Sequence, residues 1–353
     1  MTAAFFSPNS IILSPPPQRH PPLRSSSALQ FPIKHRFSTP PASIHTRASA
    51  AATTTTTADS ASTSTTTGWA EFAEKVSGEW DGFGADFTAE GQAVELPESV
   101  VPEAFREWEV KVFDWQTQCP TFADASPSLT YRSVKLLPTV GCEADAATVY
   151  ASEERRVSEP RGSAFAYAST GCYVAERRIG ASIELEHCLI DPSNRESRVR
   201  VVQLLDSELK LARIKVFVEQ WYGPFRNGDQ LGGCAVRDSA FASTERLEAS
   251  RVCRAWQGIS VVARFDTSDN MIQELGDERA SKSTRDEGGL VLLPKKLWSS
   301  VKRGDGDNNN NDETCCEVGW LLEEGRAITS KCIFSSRAEV EEIAIANETA
   351  SGI

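Results

Sequence analysis

Histidine is scarce in this sequence of 353 residues, which contains four. Three of them precede residue 68, so His187 is the one histidine in the remainder. A zinc or iron site rich in histidine is therefore excluded from that part of the chain. The nine cysteines contain no Cys-x-x-Cys pair, and the neighbours Cys315 and Cys316 would point to opposite faces of a strand. We expect buried thiols and no metal site.

Motifs for catalysis and for phosphate binding are also absent. The sequence has no Gly-x-Ser-x-Gly elbow, and Gly82-Phe83-Gly84 lacks the third glycine and the helix of a dinucleotide turn. His187 would have to serve as the general base of any nucleophile. Its place among alternating apolar residues predicts a buried histidine with a hydrogen-bond partner, the alternative being a ligand contact. The sequence predicts a protein that is not an enzyme and has no cofactor.

Long apolar runs and excess positive charge are missing too. No run reaches about 18 apolar residues, so we predict no membrane span. The chain has 49 acidic and 37 basic residues, a net charge of −12 that would repel nucleic-acid phosphates. We therefore predict no nucleic-acid partner.

The first 67 residues differ in composition from the rest. They contain nine of the 18 prolines, five cations and a single acid, Asp59. A serine-rich, arginine-bearing, acid-poor N-terminus is typical of a transit peptide, and its prolines would break the amphipathic helix of a mitochondrial one. We predict a chloroplast transit peptide, cleaved near Arg47, with a disordered lead-in to residue 67, and a location in the chloroplast stroma. The alternative is a disordered tail without a targeting role.

The remainder shows apolar residues with period two, which predicts strands. In 182–189, Ile183 and Leu185 share one face, and Glu184 and Glu186 share the other, which we expect to meet water. In 210–221 the same reasoning places Glu219 on a water-facing side. Two short helices are expected at 102–108 and, more weakly, at 269–275. The strands are predicted at 79–88, 108–117, 129–137, 164–176, 182–189, 198–205, 210–221, 249–265, 288–293, 296–302, 316–323, 327–335 and 339–346.

A Trp-x-Gly signature occurs near the start of each half. Gly78, Trp80 and Gly82 open the first, and Trp256 and Gly258 open the second, 176 residues later. A large side chain can close one end of a barrel, and an adjacent glycine lets the strand bend. We predict an all-β fold of two lipocalin-like antiparallel β-barrels in tandem, with short helices. The predicted domains are 1–67 (transit peptide and lead-in), 68–225 (first barrel), 226–240 (linker), 241–346 (second barrel) and 347–353 (tail).

Five further tryptophans could line a pocket, because ligand pockets are largely apolar and aromatic. Burial in the core is the alternative that we favour. The five are Trp108, Trp115, Trp221, Trp298 and Trp320.

Two segments carry a family resemblance. Ser77–Phe87 (SGEWDGFGADF) and Glu95–Pro120 resemble a plant chloroplast family that was first described as a domain of unknown function and is required for building the chloroplast ATP synthase. Its members are similar in fold to the lipocalin-like (calycin) barrels of phycobiliprotein lyases. The late segments that resemble those barrels are Gly288–Pro294, Trp298 and Val318–Leu322. The lyase barrels usually carry Arg-x-Tyr in the next strand, whereas this sequence has Ser330–Phe334, so the resemblance does not extend to bilin binding.

The resemblance implies a non-enzymatic assembly factor for the catalytic head of ATP synthase that contacts its beta and gamma subunits, and we expect it to act as a monomer. Residues 68–353 hold 48 acidic and 32 basic residues, an excess that can steer a basic partner surface. The alternative is a small-ligand or tetrapyrrole carrier, or a lyase-type protein, that uses a barrel interior. A conventional enzyme is disfavoured by the missing motifs.

Overall fold

Most of the described chain is strand. A computed structural model describes residues 64–139, 148–158, 163–229, 240–266, 271–304, 313–323 and 325–351. The strands are β1 (Glu79–Thr88), β2 (Asp114–Gln118), β3 (Thr121–Ala123), β4 (Leu129–Leu136), β5 (Val149–Arg156), β6 (Phe165–Tyr167), β7 (Tyr173–Ile179), β8 (Ser182–Ile190), β9 (Ser197–Leu205), β10 (Leu211–Gly223), β11 (Ala255–Arg264), β12 (Ile272–Glu274), β13 (Asp277–Thr284), β14 (Leu290–Leu293), β15 (Leu297–Arg303), β16 (Thr314–Glu323), β17 (Arg326–Phe334) and β18 (Val340–Ala350).

Helices are few and short. The described α-helices are α1 (Ser64–Val76), α2 (Glu103–Glu107) and α3 (Ala249–Val252), with 3₁₀ turns at Glu98–Val100 and Phe241–Ser243. None of these has the length and apolar character needed to cross a bilayer.

The strands form two sheets. The first has the order β12-β6-β7-β8-β9-β10-β1-β2-β4-β3, and β5 lies on the other edge of β4. The second has the order β13-β11-β18-β17-β16-β15-β14. Every pair is antiparallel except β6 with β12, through which a strand of the second half joins the first sheet.

Both sheets curl. In the first, β4 and β8 are five steps apart in strand order, about 24 Å in a flat sheet, yet Tyr131 of β4 donates a hydrogen bond to Glu186 of β8 at 2.8 Å. In the second, the edge strands β13 and β14 are joined by residues 285–289, a connection too short for the roughly 29 Å that six flat strand spacings would need. The predicted all-β, barrel-like fold with two sheets and few helices is confirmed.

Helix α1 was not predicted, since its first residues lie in the serine- and threonine-rich segment that we expected to be a lead-in without structure. Trp69, Phe72 and Val76 recur at helical spacing and are buried. The rings of Trp69 and Phe72 pack against Phe165 and Tyr167 near one edge of the first sheet. The rest of the predicted transit peptide lies outside the described residues, as does most of the predicted linker, so the domain boundaries stay predictions.

Several predicted element boundaries were wrong. The strand predicted at 108–117 begins only at Asp114, because Trp108 caps helix α2 and residues 109–113 are neither helix nor strand. The weak helix predicted at 269–275 contains strand β12, which pairs with β6. The strand predicted at 164–176 is interrupted by a turn between β6 and β7. Strands β3, β5 and β13 were not predicted.

The apolar face of β8 packs against the second sheet, not against the interior of its own barrel. His187 on that face is buried, and its Nδ1 lies 2.7 Å from the Ser330 hydroxyl of β17. Its Nε2 lies 3.3 Å from Gln203 of β9, whose amide donates to the Ser299 hydroxyl of β15 at 2.8 Å. The expectation of a buried, hydrogen-bonded histidine is met at a contact between the two sheets.

We expect His187 to make stability fall in acid. Burial lowers the pKa of His187 from 6.5 to about 4. Between these two pH values the unfolded chain binds more protons at His187 than the folded chain does. The folded state is therefore favoured fully above pH 6.5, and about 3 kcal/mol of its stability is lost as the pH falls toward 4. In denaturant unfolding from pH 7 to 4.5, the stability of His187→Gln relative to the wild type should rise as the pH falls, because the variant lacks this loss.

The comparison with the variant matters because Asp81 and Asp114 act with the opposite sign, burial having raised the pKa of each to about 6. Equal pH profiles for the two proteins would contradict the assignment to His187.

Candidate functional site: the polar interiors of the two sheets

The two signature tryptophans occupy the same place in their sheets. Trp80 and Trp256 are buried, and each lies at the start of the first strand of its half. The indole Nε1 of Trp80 donates to the carbonyl oxygen of Val76 at 2.9 Å. That of Trp256 donates to the carbonyl oxygen of Val252 at 2.9 Å. In both cases the acceptor is the last residue of the preceding helix, so each tryptophan ties a helix to its barrel.

The signature glycines are sites of close backbone approach. A Cβ atom on Gly82 would lie 1.9 Å from the carbonyl oxygen of Val218, and one on Gly258 would lie 2.0 Å from that of Asn347. Gly78 has a φ of +149°, and a Cβ there would lie 2.2 Å from the indole Nε1 of Trp221. No side chain fits at these three positions without displacing backbone or ring atoms.

Each signature tryptophan lies under a buried arginine. The guanidinium of Arg198 lies 4.1 Å from the ring centre of Trp80 and donates from Nε to Glu219 at 2.7 Å. Glu219 is the register partner of Gly82. Stacking on an indole and pairing with a carboxylate both suit the planar, weakly hydrated guanidinium.

The second sheet repeats the arrangement. Arg285 lies 5.6 Å from the ring centre of Trp256 and donates to Glu348 at 2.7 Å, and Glu348 is the register partner of Gly258. Arg285 also donates from Nε to Glu317 at 2.6 Å. We call each set of tryptophan, glycine, arginine and glutamate a Trp–Arg–Glu unit. The arginine comes from β9 in the first sheet and from the β13–β14 connection in the second, so the geometry recurs although the source of the cation differs.

A larger network fills the first barrel beyond its Trp–Arg–Glu unit. Arg200 lies between the rings of Tyr131 and Phe217, each 4.6 Å away, and donates to Glu219 from both Nε and Nη2 at 2.9 Å. It also contacts Glu186 at 3.2 Å. The remaining partners of Glu186 are Tyr131 at 2.8 Å, Tyr173 at 2.7 Å and Arg155 at 2.9 Å.

Electrostatics keeps these carboxylates charged and these phenols neutral. Burial by itself would raise the pKa of Glu186, but Arg155 and Arg200, followed by the two tyrosine hydroxyls, lower it to about 2. Arg198 and Arg200 likewise outweigh burial and lower the pKa of Glu219. Burial and the Glu186 charge raise the pKa of Tyr131 above its ordinary value. No member of this network has a pKa moved toward neutrality, the range in which a general acid or base works best.

The outward placement predicted for the acidic residues of β8 and β10 was wrong. Glu186 and Glu219 are buried in the barrel, and their charges are neutralised by arginines of neighbouring or facing strands. The period-two pattern was right, but the curl of the sheet turns its charged face inward. Arg198, Arg200 and Arg285, the cations that this needs, were not singled out from the sequence, because alternating charge in a strand also suits a solvated face.

Two clefts lined by described residues are small. One of about 130 Å³ lies where β5 faces β7 and includes Arg155, Arg156, Glu176 and Arg177. Another of about 290 Å³ lies beside Trp256 and includes Lys282 and Ser351. Among the described residues no group of three or more His, Cys, Asp or Glu side chains could hold a metal ion.

The tryptophans that could have lined a pocket are divided between core and surface. Trp115 and Trp298 are buried, and Trp221 and Trp320 are partly buried against the main core. The indole of Trp298 donates to Glu317 at 2.9 Å and so belongs to the network of the second sheet. Trp108 is 62% exposed and lines neither interior.

Comparisons with known proteins give structural similarity only. No protein-family model matches the chain, and no curated protein matches it. A crystal structure of a protein of unknown function from the DUF3598 family of Nostoc punctiforme is 13% identical over 80% of this chain and 98% of that one, with a TM-score of 0.48. A putative outer membrane protein from Bacteroides fragilis is 9% identical over 79% of this chain and 99% of that one, with a TM-score of 0.20.

Breaking a Trp–Arg–Glu unit should be strongly destabilising. Glu219→Gln leaves Arg198 and Arg200 buried without their shared counter-charge, and we expect a loss of about 3–5 kcal/mol. Glu323→Gln, which breaks the exposed pair with Arg326, should cost less than about 1 kcal/mol. Urea unfolding of both variants measures the difference, and similar losses would contradict the proposed burial of the first pair.

The close approaches at the signature glycines make a second prediction. Gly82→Ala and Gly258→Ala each force a methyl group onto a facing carbonyl, so we expect each to cost about 1–3 kcal/mol or more. Gly276→Ala is the matched control, because a Cβ there has no atom within 4 Å, and it should change stability by less than about 0.5 kcal/mol. Thermal unfolding of the three variants measures these changes in stability. An unchanged unfolding midpoint for Gly82→Ala would contradict the close packing at Gly82.

Proposed function

We propose that this chain is a non-enzymatic assembly factor of the chloroplast stroma that binds the beta and gamma subunits of the ATP synthase catalytic head through its outer surface. The family resemblance of Ser77–Phe87 and Glu95–Pro120 supplies the class of partner. The observation that carries the proposal is the filling of both sheets by paired side chains of the chain itself.

The network in the first barrel leaves its carboxylates little capacity for a ligand. Each oxygen of Glu186 and of Glu219 already accepts from an arginine, and the two tyrosine hydroxyls near Glu186 donate to it. Opening this network to admit a ligand would leave charges buried and unpaired, which costs several kcal/mol. The surface is the part of the molecule that is free to bind.

Charge supports a protein partner over a nucleic acid. The acidic excess of residues 68–353 favours a partner with a basic face, and such attraction raises the association rate more than the final affinity. An assembly factor must release its client, so an interaction that rests on screened charges is suitable. We therefore expect binding to weaken as salt is added.

The carrier alternative requires interior space. The clefts of about 130 Å³ and 290 Å³ are smaller than the 300–1,000 Å³ typical of sites for drug-sized ligands. A tetrapyrrole would have to displace the buried arginines. The geometry supports the assembly role better than the carrier role.

Affinity purification from plant stroma tests the proposal. The full-length precursor with a C-terminal tag is expressed in leaves, recovered from stroma at low and at high salt, and its partners are identified by mass spectrometry. We expect the beta and gamma subunits at low salt and much less of both at high salt. A tagged stromal protein of similar net charge is the control. Absence of both subunits, or equal recovery with the control, would refute the proposal.

A further inference from the structure

The connection between β1 and β2 is a compact excursion from the first sheet. The backbone N–H of Leu96 donates to the carbonyl of Val112 at 2.8 Å, so the two ends of the excursion are adjacent. Residues 97–111 between them, which we call the Trp108 loop, have the length and the closed base of an Ω-loop. Loops of this kind on a rigid scaffold frequently carry function.

A small hydrophobic cluster of its own holds the base of the Trp108 loop. Leu96, Val100 and Trp115 form it, apart from the main core. Tyr150 of β5 stacks on Trp115 with ring centres 4.7 Å apart, and the Lys135 ammonium lies 5.3 Å from the same ring. The loop is therefore fixed to the sheet at its base.

The tip of the loop has a defined conformation. Helix α2 ends in a Schellman motif, in which the N–H of Val110 donates to Phe105 at 2.8 Å and the N–H of Glu109 donates to Arg106 at 3.1 Å. Glu109 at the turn has a φ of 55°, a left-handed conformation that costs a residue with a side chain about 1 kcal/mol. This cap directs Trp108 and Val110 to a fixed place at the tip.

The apolar side chains of the tip face solvent. Helix α2 buries none of its side chains, Trp108 is 62% exposed, and Val110 is 47% exposed. Phe105 covers part of Trp108, with ring centres 6.4 Å apart. A capped helix with no buried side chain stabilises the fold little, and tryptophan is among the residues most enriched at the centres of protein interfaces.

Acidic side chains surround this apolar tip. Residues 95–111 include five glutamates, all exposed, and two cations, Arg106 and Lys111. Lys111 is already paired with Glu95 at 3.3 Å. An apolar centre with a negatively charged rim complements a surface that is apolar in the middle and bears lysine or arginine around it.

We propose that the Trp108 loop is the surface through which this protein docks onto a basic, partly apolar segment of its partner protein, an inference that rests on the proposed function. Trp108 enters an apolar recess of the partner, and the surrounding glutamates face its cations. In such a contact the charges at the rim raise the association rate, and the buried aromatic side chain lowers the dissociation rate.

Variants of the tagged full-length protein test this docking surface by the same stromal purification. We expect Trp108→Ala, and independently Val110→Ser, to lower recovery of the subunits by about tenfold or more, as removal of an interface anchor does. Ile259→Ala is the matched control, because Ile259 is 59% exposed on the second sheet. Thermal unfolding should give similar midpoints for all these variants, since each of the three substituted side chains is about half exposed or more.

A second probe keeps the outcome independent of the identity of the partner. It is a fluorescently labelled helical peptide of leucine and lysine, with the same peptide carrying glutamate for lysine as its control, titrated by anisotropy. We expect the lysine peptide to bind and the glutamate peptide not to bind. Trp108→Ala should weaken the affinity for the lysine peptide about tenfold, and so should the double variant Glu103→Lys, Glu107→Lys. Glu278 of β13 and Glu287 of the β13–β14 connection are also exposed, and their double change to lysine should weaken peptide binding much less.

The stromal purification and the peptide titration together distinguish failure of the docking surface from failure of the assembly role. If the wild type recovers the subunits and Trp108→Ala recovers them equally, the docking surface is wrong and the assembly role stands. If the wild type recovers neither subunit but binds the lysine peptide in a manner that depends on Trp108, the assembly role is wrong and the docking surface stands. Peptide binding that is unchanged in Trp108→Ala overturns the docking surface in either case.

Discussion

Pairing of buried guanidinium and carboxylate groups is the constraint on which both sheets depend. Arg198 with Glu219 and Arg285 with Glu348 lie against Trp80 and Trp256 and occupy the interiors that the curled sheets enclose. Buried charges are tolerated only when both partners are present and hydrogen-bonded, so each pair ties the strand beside the signature strand, β10 or β18, to a second element. This filling is the observation behind our proposal that partners bind the outer surface.

The two halves share one packing arrangement but differ in the segments that supply it. In each half the last carbonyl of a helix accepts the hydrogen bond of the signature indole, and a glycine allows close approach of the strand that carries the glutamate. The halves are then joined by a buried polar contact, in which His187 and Gln203 of the first sheet contact Ser330 and Ser299 of the second. The acidic tip of the Trp108 loop lies outside both interiors, on the connection between β1 and β2.

The sequence predicts the strands that have a local pattern, but not the features that depend on how the whole sheet curls. The strand expected at 79–88 coincides with β1, whose alternation and Trp-x-Gly signature are both local. Strand β13 has almost no apolar residue and gives no such signal, since its partner β11 supplies the pairing. Arg198 and Glu219 could not be assigned to an interior, because alternating charge looks the same on a solvated face, and only the curl of the whole sheet decides which face is enclosed.

The claim that the barrels are filled by their own side chains is tested most directly by native mass spectrometry of the protein purified without denaturation from leaves that express it. The account predicts the mass of the polypeptide alone, identical before and after denaturation, and a preparation without visible absorbance. A bound molecule of several hundred daltons that is retained in the native state and released on unfolding would contradict it, and would move the site of function from the surface to the interior.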